Sequence, residues 1–379
     1  MSVQTSIQNW PPDRGLRLSR GLSPIGLDIG ERVIAAAQLT GRRGSPARLR
    51  AGIVIDRTET GALSASEATN LAQTLQRAGF EGREAIVAAP DETLMTAHLE
   101  LPPASSNAPL DEIARAEVAR LFRVNGESIS MGYWDLPVLD RAKSGPTAMA
   151  VALPEESSSQ FVRTLSNAGF EVVGVDARMC SLARACAGAI GTVSGLVGLI
   201  EVGWSGTRVL LLHCTNSNWT LVYERRITEA CVRNVVESVK QRLGVDTAAA
   251  MLALRGARID DGTPMSPEMS DLMRQVRQLQ NEFFEALVPE VQRSISYASQ
   301  RYSSLPLCGG YLCGEGALIR GLRGKLAQEL SLECAPILPS ALVQVDSESI
   351  FRDACELVCA IGLASFSPVA ATMRERSAA

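Results

Sequence analysis

Aromatic side chains are scarce in this chain. Phe, Tyr and Trp make up 4% of its 379 residues. A core with so few rings has to be aliphatic, which favours an α/β protein built on Ala, Val and Leu. Histidine is scarcer still: only His98 and His213 occur. None of the nine cysteines stands in a C-x-x-C pair, so the ligand spacings of a zinc site are missing. An odd number of scattered thiols fits reduced, buried side chains in a cytosol better than a disulfide framework. Cys355 and Cys359, one helical turn apart, are expected in the core. Charge of one sign is lacking too. Lys and Arg number 37 against 41 Asp and Glu, a net charge of −4, which argues against a broadly basic nucleic-acid surface and leaves a local patch open. No apolar run approaches the roughly 18 residues needed to span a bilayer. Residues 1–23 are polar and Arg-bearing and show no apolar signal-peptide segment. The expectation is a soluble, cytoplasmic protein with no direct membrane span.

What is present is ordinary globular material, 46% apolar and 21% charged, in a length that suits two or more domains. Residues 1–23 and 368–379 read as tails. Between them, residues 24–29 and 32–39 read as a hairpin turning at Gly30-Glu31, and 49–55 as a third strand. A helix over 64–78 starts on Ser64, with Glu67 completing a capping box, and stops at Gly79. Residues 84–89 form a further strand. Three antiparallel strands, a helix and another strand are the unit of a ribonuclease-H-like half.

From residue 90 the texture changes. Residues 93–101 alternate, with Met95, Ala97, Leu99 and Leu101 on one face and His98 on the solvent side. Pro109 at the first helical position opens a helix to Phe122, with an apolar face of Leu110, Ile113, Ala114, Val118 and Leu121. Strands near 130–138 and 147–153, joined by a polar turn at 140–145, and a helix over 155–168 complete an inserted α+β subdomain. A strand at 170–175 and a helix at 177–189 return to the first half. The three-strand pattern then recurs at 195–202, 207–213 and 219–223, a duplication of topology rather than of sequence. Residues 245–300 are mostly helical, with a loop at 260–267 and a break or kink expected at Pro289. A strand over 305–313, a helix over 317–330 and a closing helix over 349–366 end the ordered chain. The expected domains are therefore 24–89 with 170–190, the insertion 90–169, a second half of 191–244 with 301–367, and a helical subdomain 245–300.

Chemistry is suggested by glycine-centred segments at the ends of apolar runs: Gly26-Leu27-Asp28-Ile29-Gly30, Leu199-Ile200-Glu201-Val202-Gly203 and Leu312-Cys313-Gly314-Glu315-Gly316. A phosphate loop needs backbone N–H groups aimed at the anion, and glycine lets the chain come close. An aspartate at a strand end can hold hydrated Mg2+. Asp28 and Gly30 suit that in the first loop. Glu201, Gly203, Ser205 and Thr207 suit it in the second, Asp28 and Glu201 being the candidate metal ligands. Gly314 and Gly316 would let an adenosine lie against the backbone. Each segment alone is more readily a common turn; their order and spacing suggest two halves closing on a nucleotide.

These segments resemble the type IV pilus assembly protein PilM family, FtsA-like members of the actin-like ATPase superfamily. Pro24 to Gly30 is similar to that family's opening strand and first loop. Leu99-Glu100-Leu101-Pro102 and the helix with Glu112, Ala116 and Glu117 are similar to its inserted subdomain. Ala168 to Asp176 is similar to the return to the first half, and Leu312 to Leu322 to the adenosine motif. The resemblance implies an actin-like α/β fold of two ribonuclease-H-like halves, with ATP and Mg2+ as cofactors. It implies a scaffold at the inner membrane that binds the cytoplasmic N-terminal peptide of a PilN-like protein within a pilus or secretion complex, with self-association open. Glu31 and Arg32 stand where the family has a small hydroxyl residue, Glu201 stands for the usual Asp, and Trp204 and Glu315 interrupt the other two motifs. No catalytic residue is assigned, and hydrolysis is not expected. An active ATPase or small-molecule kinase of the same superfold, or an FtsA-like filament protein, are the alternatives.

Overall fold

Strand β1 (Ile25–Ile29) is apolar on both faces except for Asp28, as befits a strand in the middle of a sheet. It pairs antiparallel with β2 (Val33–Thr40), Gly26 facing Ala37. β2 pairs in turn with β3 (Arg48–Asp56). Helix α1 (Ala65–Arg77) is capped by the Ser64 hydroxyl, which accepts from the Glu67 N–H at 3.1 Å. Only half of the expected capping box is built. The Glu67 carboxylate accepts from Nε and Nη2 of the Arg57 guanidinium, each at 2.8 Å, a stronger pairing than a backbone N–H offers. β4 (Glu84–Ala88) lies parallel to β1.

The computed structural model describes residues 21–41, 46–137, 147–191, 193–215, 218–256 and 267–366. Residues 1–20 of the expected tail 1–23, the tail 368–379, the turn at 140–145 and most of the loop at 260–267 lie outside them.

The insertion is a sheet of β5 (Met95–Leu99), β6 (Ile129–Asp135) and β7 (Ala148–Pro154) in the order β5-β7-β6. Helix α2 (Leu110–Phe122) covers it through Ala114 and Val118. Pro109 is the N-cap of α2 rather than its first residue. Leu121 lies 48% exposed instead of joining the apolar face. Helix α3 (Glu155–Asn167) was expected with the insertion, but Val162 and Leu165 belong to the first-half core with Leu71, Leu75 and Phe170. The strand β8 (Glu171–Asp176) then completes a sheet in the order β3-β2-β1-β4-β8, followed by α4 (Arg178–Ala187).

The second sheet repeats this plan. β9 (Gly195–Val202), β10 (Thr207–Thr215), β11 (Asn218–Ile227), β12 (Leu307–Cys313) and the short β13 (Cys334–Pro336) run in the order β11-β10-β9-β12-β13. Its helices are α5 (Val232–Leu243), α6 (Thr247–Arg255), α7 (Pro267–Arg301) and α8 (Leu322–Leu330). α7 passes through Pro289 without the break that was one of the two expected outcomes. Its buried face, Phe283, Leu287, Val288, Val291 and Ile295, continues on both sides of the proline, and that packing outweighs the lost hydrogen bond.

The end of the chain departs from expectation. After the short helix α9 (Pro339–Leu342), helix α10 (Leu357–Ala364) packs on α4, β1 and β2. Residues from 338 onward therefore count with the first unit, which holds residues up to 193 and also 213–222, while 194–212 and 223–337 form the second. The expected span 301–367 of the second half stops at 337. Backbone contact explains the return. A side chain on Gly26 would strike the Ala360 carbonyl, and one on Gly362 the Ser181 carbonyl, so α10 lies directly on the strand and helix beneath it.

Candidate functional site

In the first unit, β1 delivers Asp28 to the C-terminal end of the sheet and Gly30 makes the turn. The Gly30 N–H donates to the Val33 carbonyl at 2.9 Å, closing a four-residue turn through Glu31 and Arg32. The Gly30 carbonyl accepts from the Arg57 guanidinium at 2.9 Å. Arg32 reaches Asp56 at 2.7 Å. The Asp28 carboxylate, 7% exposed, is held by Arg178 at 2.5 Å. The same guanidinium stands 3.9 Å from Asp91, in the turn after β4. The strands β1, β4 and β8 are neighbours, so the carboxylates of Asp28 and Asp91 and the guanidinium of Arg178 gather where three adjacent strands end. Ligands of open α/β sheets bind at that end.

In the second unit the same turn recurs. The Gly203 N–H donates to the Gly206 carbonyl at 3.1 Å, through Trp204 and Ser205. The carbonyls of Gly203 and Trp204 accept from the Val232 and Arg233 N–H groups, each at 3.0 Å. These are the first donors of α5, so the loop itself caps the helix end that would otherwise favour an anion. The Thr207 hydroxyl is buried and donates to the Ala230 carbonyl at 2.7 Å. The Ser205 hydroxyl accepts from Arg226 at 3.2 Å. Glu201 lies 3.5 Å from Arg208, which bonds Glu224 at 2.6 Å, and all three side chains are under a tenth exposed.

The third segment is a run of turns rather than a strand feeding a helix, since α8 begins only at Leu322. The Gly316 N–H donates to the Val202 carbonyl at 2.8 Å. A Cβ on Gly316 would fall on the Val202 side chain, and one on Gly314, at φ +81°, would come 2.9 Å from the Val202 carbonyl oxygen. Both glycines are required by close packing against the end of β9.

The residues present do not fit Mg2+. A hydrated magnesium ion needs carboxylate oxygens free to meet its octahedral shell, yet Asp28 and Glu201 each face a guanidinium. Both loop glycines spend their N–H groups on their own turns. Among the described residues no group of three or more His, Cys, Asp or Glu could hold a metal ion, and no helix is long and apolar enough to cross a membrane. Cys308 is exposed and the other eight cysteines are buried.

Sequence reasoning missed Arg178, Arg208 and Glu224. Two signals were available. Arg178 is the first residue of α4, where the helix dipole disfavours a cation, so a specific anion had to be near. Arg208 stands beside the apolar run Val209 to Leu212 in a largely buried strand, where a charge needs a partner. His98 is exposed as expected, and its Nε2 lies 3.3 Å from the Val222 carbonyl.

The chain matches no protein-family model and no curated protein. Among solved structures it is similar to the "PilM-PilN type IV pilus biogenesis complex", at 20% identity and a TM-score of 0.69, over 92% of this chain and 99% of that one. It is also similar to MreB 5 of Spiroplasma citri bound to AMPPNP, at 11% identity and a TM-score of 0.50, over 95% of this chain and 100% of that one. At such identities the likeness shows the fold, which is actin-like. The resemblance to PilM read from the glycine segments is met at that level.

Proposed function

We propose that this protein is a cytoplasmic assembly scaffold of a type IV pilus or related secretion machine. It binds the cytoplasmic N-terminal peptide of a PilN-like protein and is held at the inner membrane through that partner. The observation that carries the reading is the likeness, over 92% of the chain, to a structure described as a PilM-PilN complex. The insertion supports it. A three-stranded sheet with a covering helix gives an extended peptide both strand edges and apolar side chains to meet, and Leu121 and Phe122 stand exposed at the end of α2. The arginine-held carboxylates favour a scaffold over a hydrolase, because phosphoryl transfer relies on metal ions to neutralise the developing charge. Titration calorimetry of the full chain with the N-terminal peptide of a co-encoded PilN-like protein tests the proposal. Saturable binding, weakened by Phe122→Ala, is expected; absence of binding to any such peptide sinks it.

A further inference from the structure

We infer that Arg178 is the built-in counter-cation of the first loop, so that this half of the molecule is assembled, and stays assembled, without a divalent metal. The inference does not rest on the partner proposed above.

Three facts carry it. Arg178 reaches Asp28 at 2.5 Å and stands 3.9 Å from Asp91. One guanidinium thus serves carboxylates from the ends of two neighbouring strands, as a divalent ion bridging them would. The side chains of Asp28, Asp91 and Arg178 are 7%, 18% and 18% exposed, so the charges are screened mainly by one another rather than by water. The second half reaches the same arrangement with unrelated residues. Its loop acid Glu201, two positions before Gly203 as Asp28 is two before Gly30, faces Arg208, which Glu224 also holds. Arg178 comes from a helix start and Arg208 from a strand, so the repetition is not inherited from the shared topology. A guanidinium is fixed in charge and geometry and cannot leave as an ion can. The loop acids are therefore compensated permanently. Any phosphate reaching the first loop would meet Arg178 and not a metal.

The melting temperature of the full chain in Mg2+, in EDTA, and in each with ATP tests this directly. Wild type is expected to melt at the same temperature in Mg2+ and EDTA. If ATP raises that temperature, EDTA is expected to leave the rise intact, since Arg178 would then supply the charge. Arg178→Gln should lower melting by roughly 5 °C or more. The double variant Asp28→Asn with Arg178→Gln should recover most of the loss, because the uncompensated carboxylate is gone. A melting temperature that rises with Mg2+ or Mg-ATP in wild type, and no longer does so in EDTA or in Asp28→Asn, overturns the inference. So does an Arg178→Gln variant as stable as wild type. Should Arg178→Gln not fold, recovery of folding in the double variant supports the inference, and the wild-type metal comparison decides it in any case.

Discussion

Arg57 shows how a single buried side chain organises the first loop. It is 3% exposed, takes both oxygens of Glu67, and donates to the carbonyls of Gly30 and Gly61. One guanidinium thereby ties the loop to the first turn of α1 and to the turn before it. His213 marks a different residue-scale effect. Burial holds its imidazole below the ordinary value, so the folded state favours the neutral ring. A depressed folded value contributes stability that is present above the unfolded value of about 6.5 and is lost as pH falls through the folded one. His213→Gln should therefore lose less melting temperature than wild type between about pH 7.5 and pH 5. Equal losses in the two proteins would remove His213 from the account.

At the scale of elements, the return of α10 to the first sheet governs the assembly of that unit. Its eight residues are all buried. Arg184 donates to the Gly362 carbonyl and to Asp176, both at 2.9 Å, and stacks over Phe366. Gly362→Ala places a methyl group on the Ser181 carbonyl, where the backbone of α4 has no room to yield. Overpacking of that kind costs about 1–3 kcal/mol or more. A urea titration should show a loss of at least about 2 kcal/mol; a change within about 0.5 kcal/mol would mean that α10 shifts freely. The same element explains a sequence misreading. The apolar pattern over 349–366 signals a buried helix but carries no information on which sheet buries it. Two sheets of one topology offer equivalent faces, and the close approaches of Gly26 to Ala360 and of Gly362 to Ser181 seat α10 on the first.

For the whole molecule, the actin-like fold leaves the filament alternative neither supported nor removed, because fold does not fix activity. Both loop acids face arginines, and the inference that Arg178 replaces a metal sets the expectation for assembly. Light scattering of the full chain should be unchanged by Mg-ATP; a nucleotide-dependent rise would restore the filament reading and, with it, a role for metal.

Local pattern alone determined a great deal about this protein. Alternation placed β5, turn glycines placed the hairpins at Gly30 and Gly203, and the recurrence of three strands announced two similar halves. These are short-range signals, set by backbone conformation and by the burial of one face. Tertiary structure alone decided three matters. It assigned α3 and α10 to the first half, because packing partners lie far off in sequence. It brought Gly314 and Gly316 against Val202 at the end of β9. And it gave Asp28 an arginine 150 residues away. A carboxylate at a strand end reads the same in sequence whether a metal or a guanidinium compensates it; the difference is one of position in space, which the folded chain alone supplies.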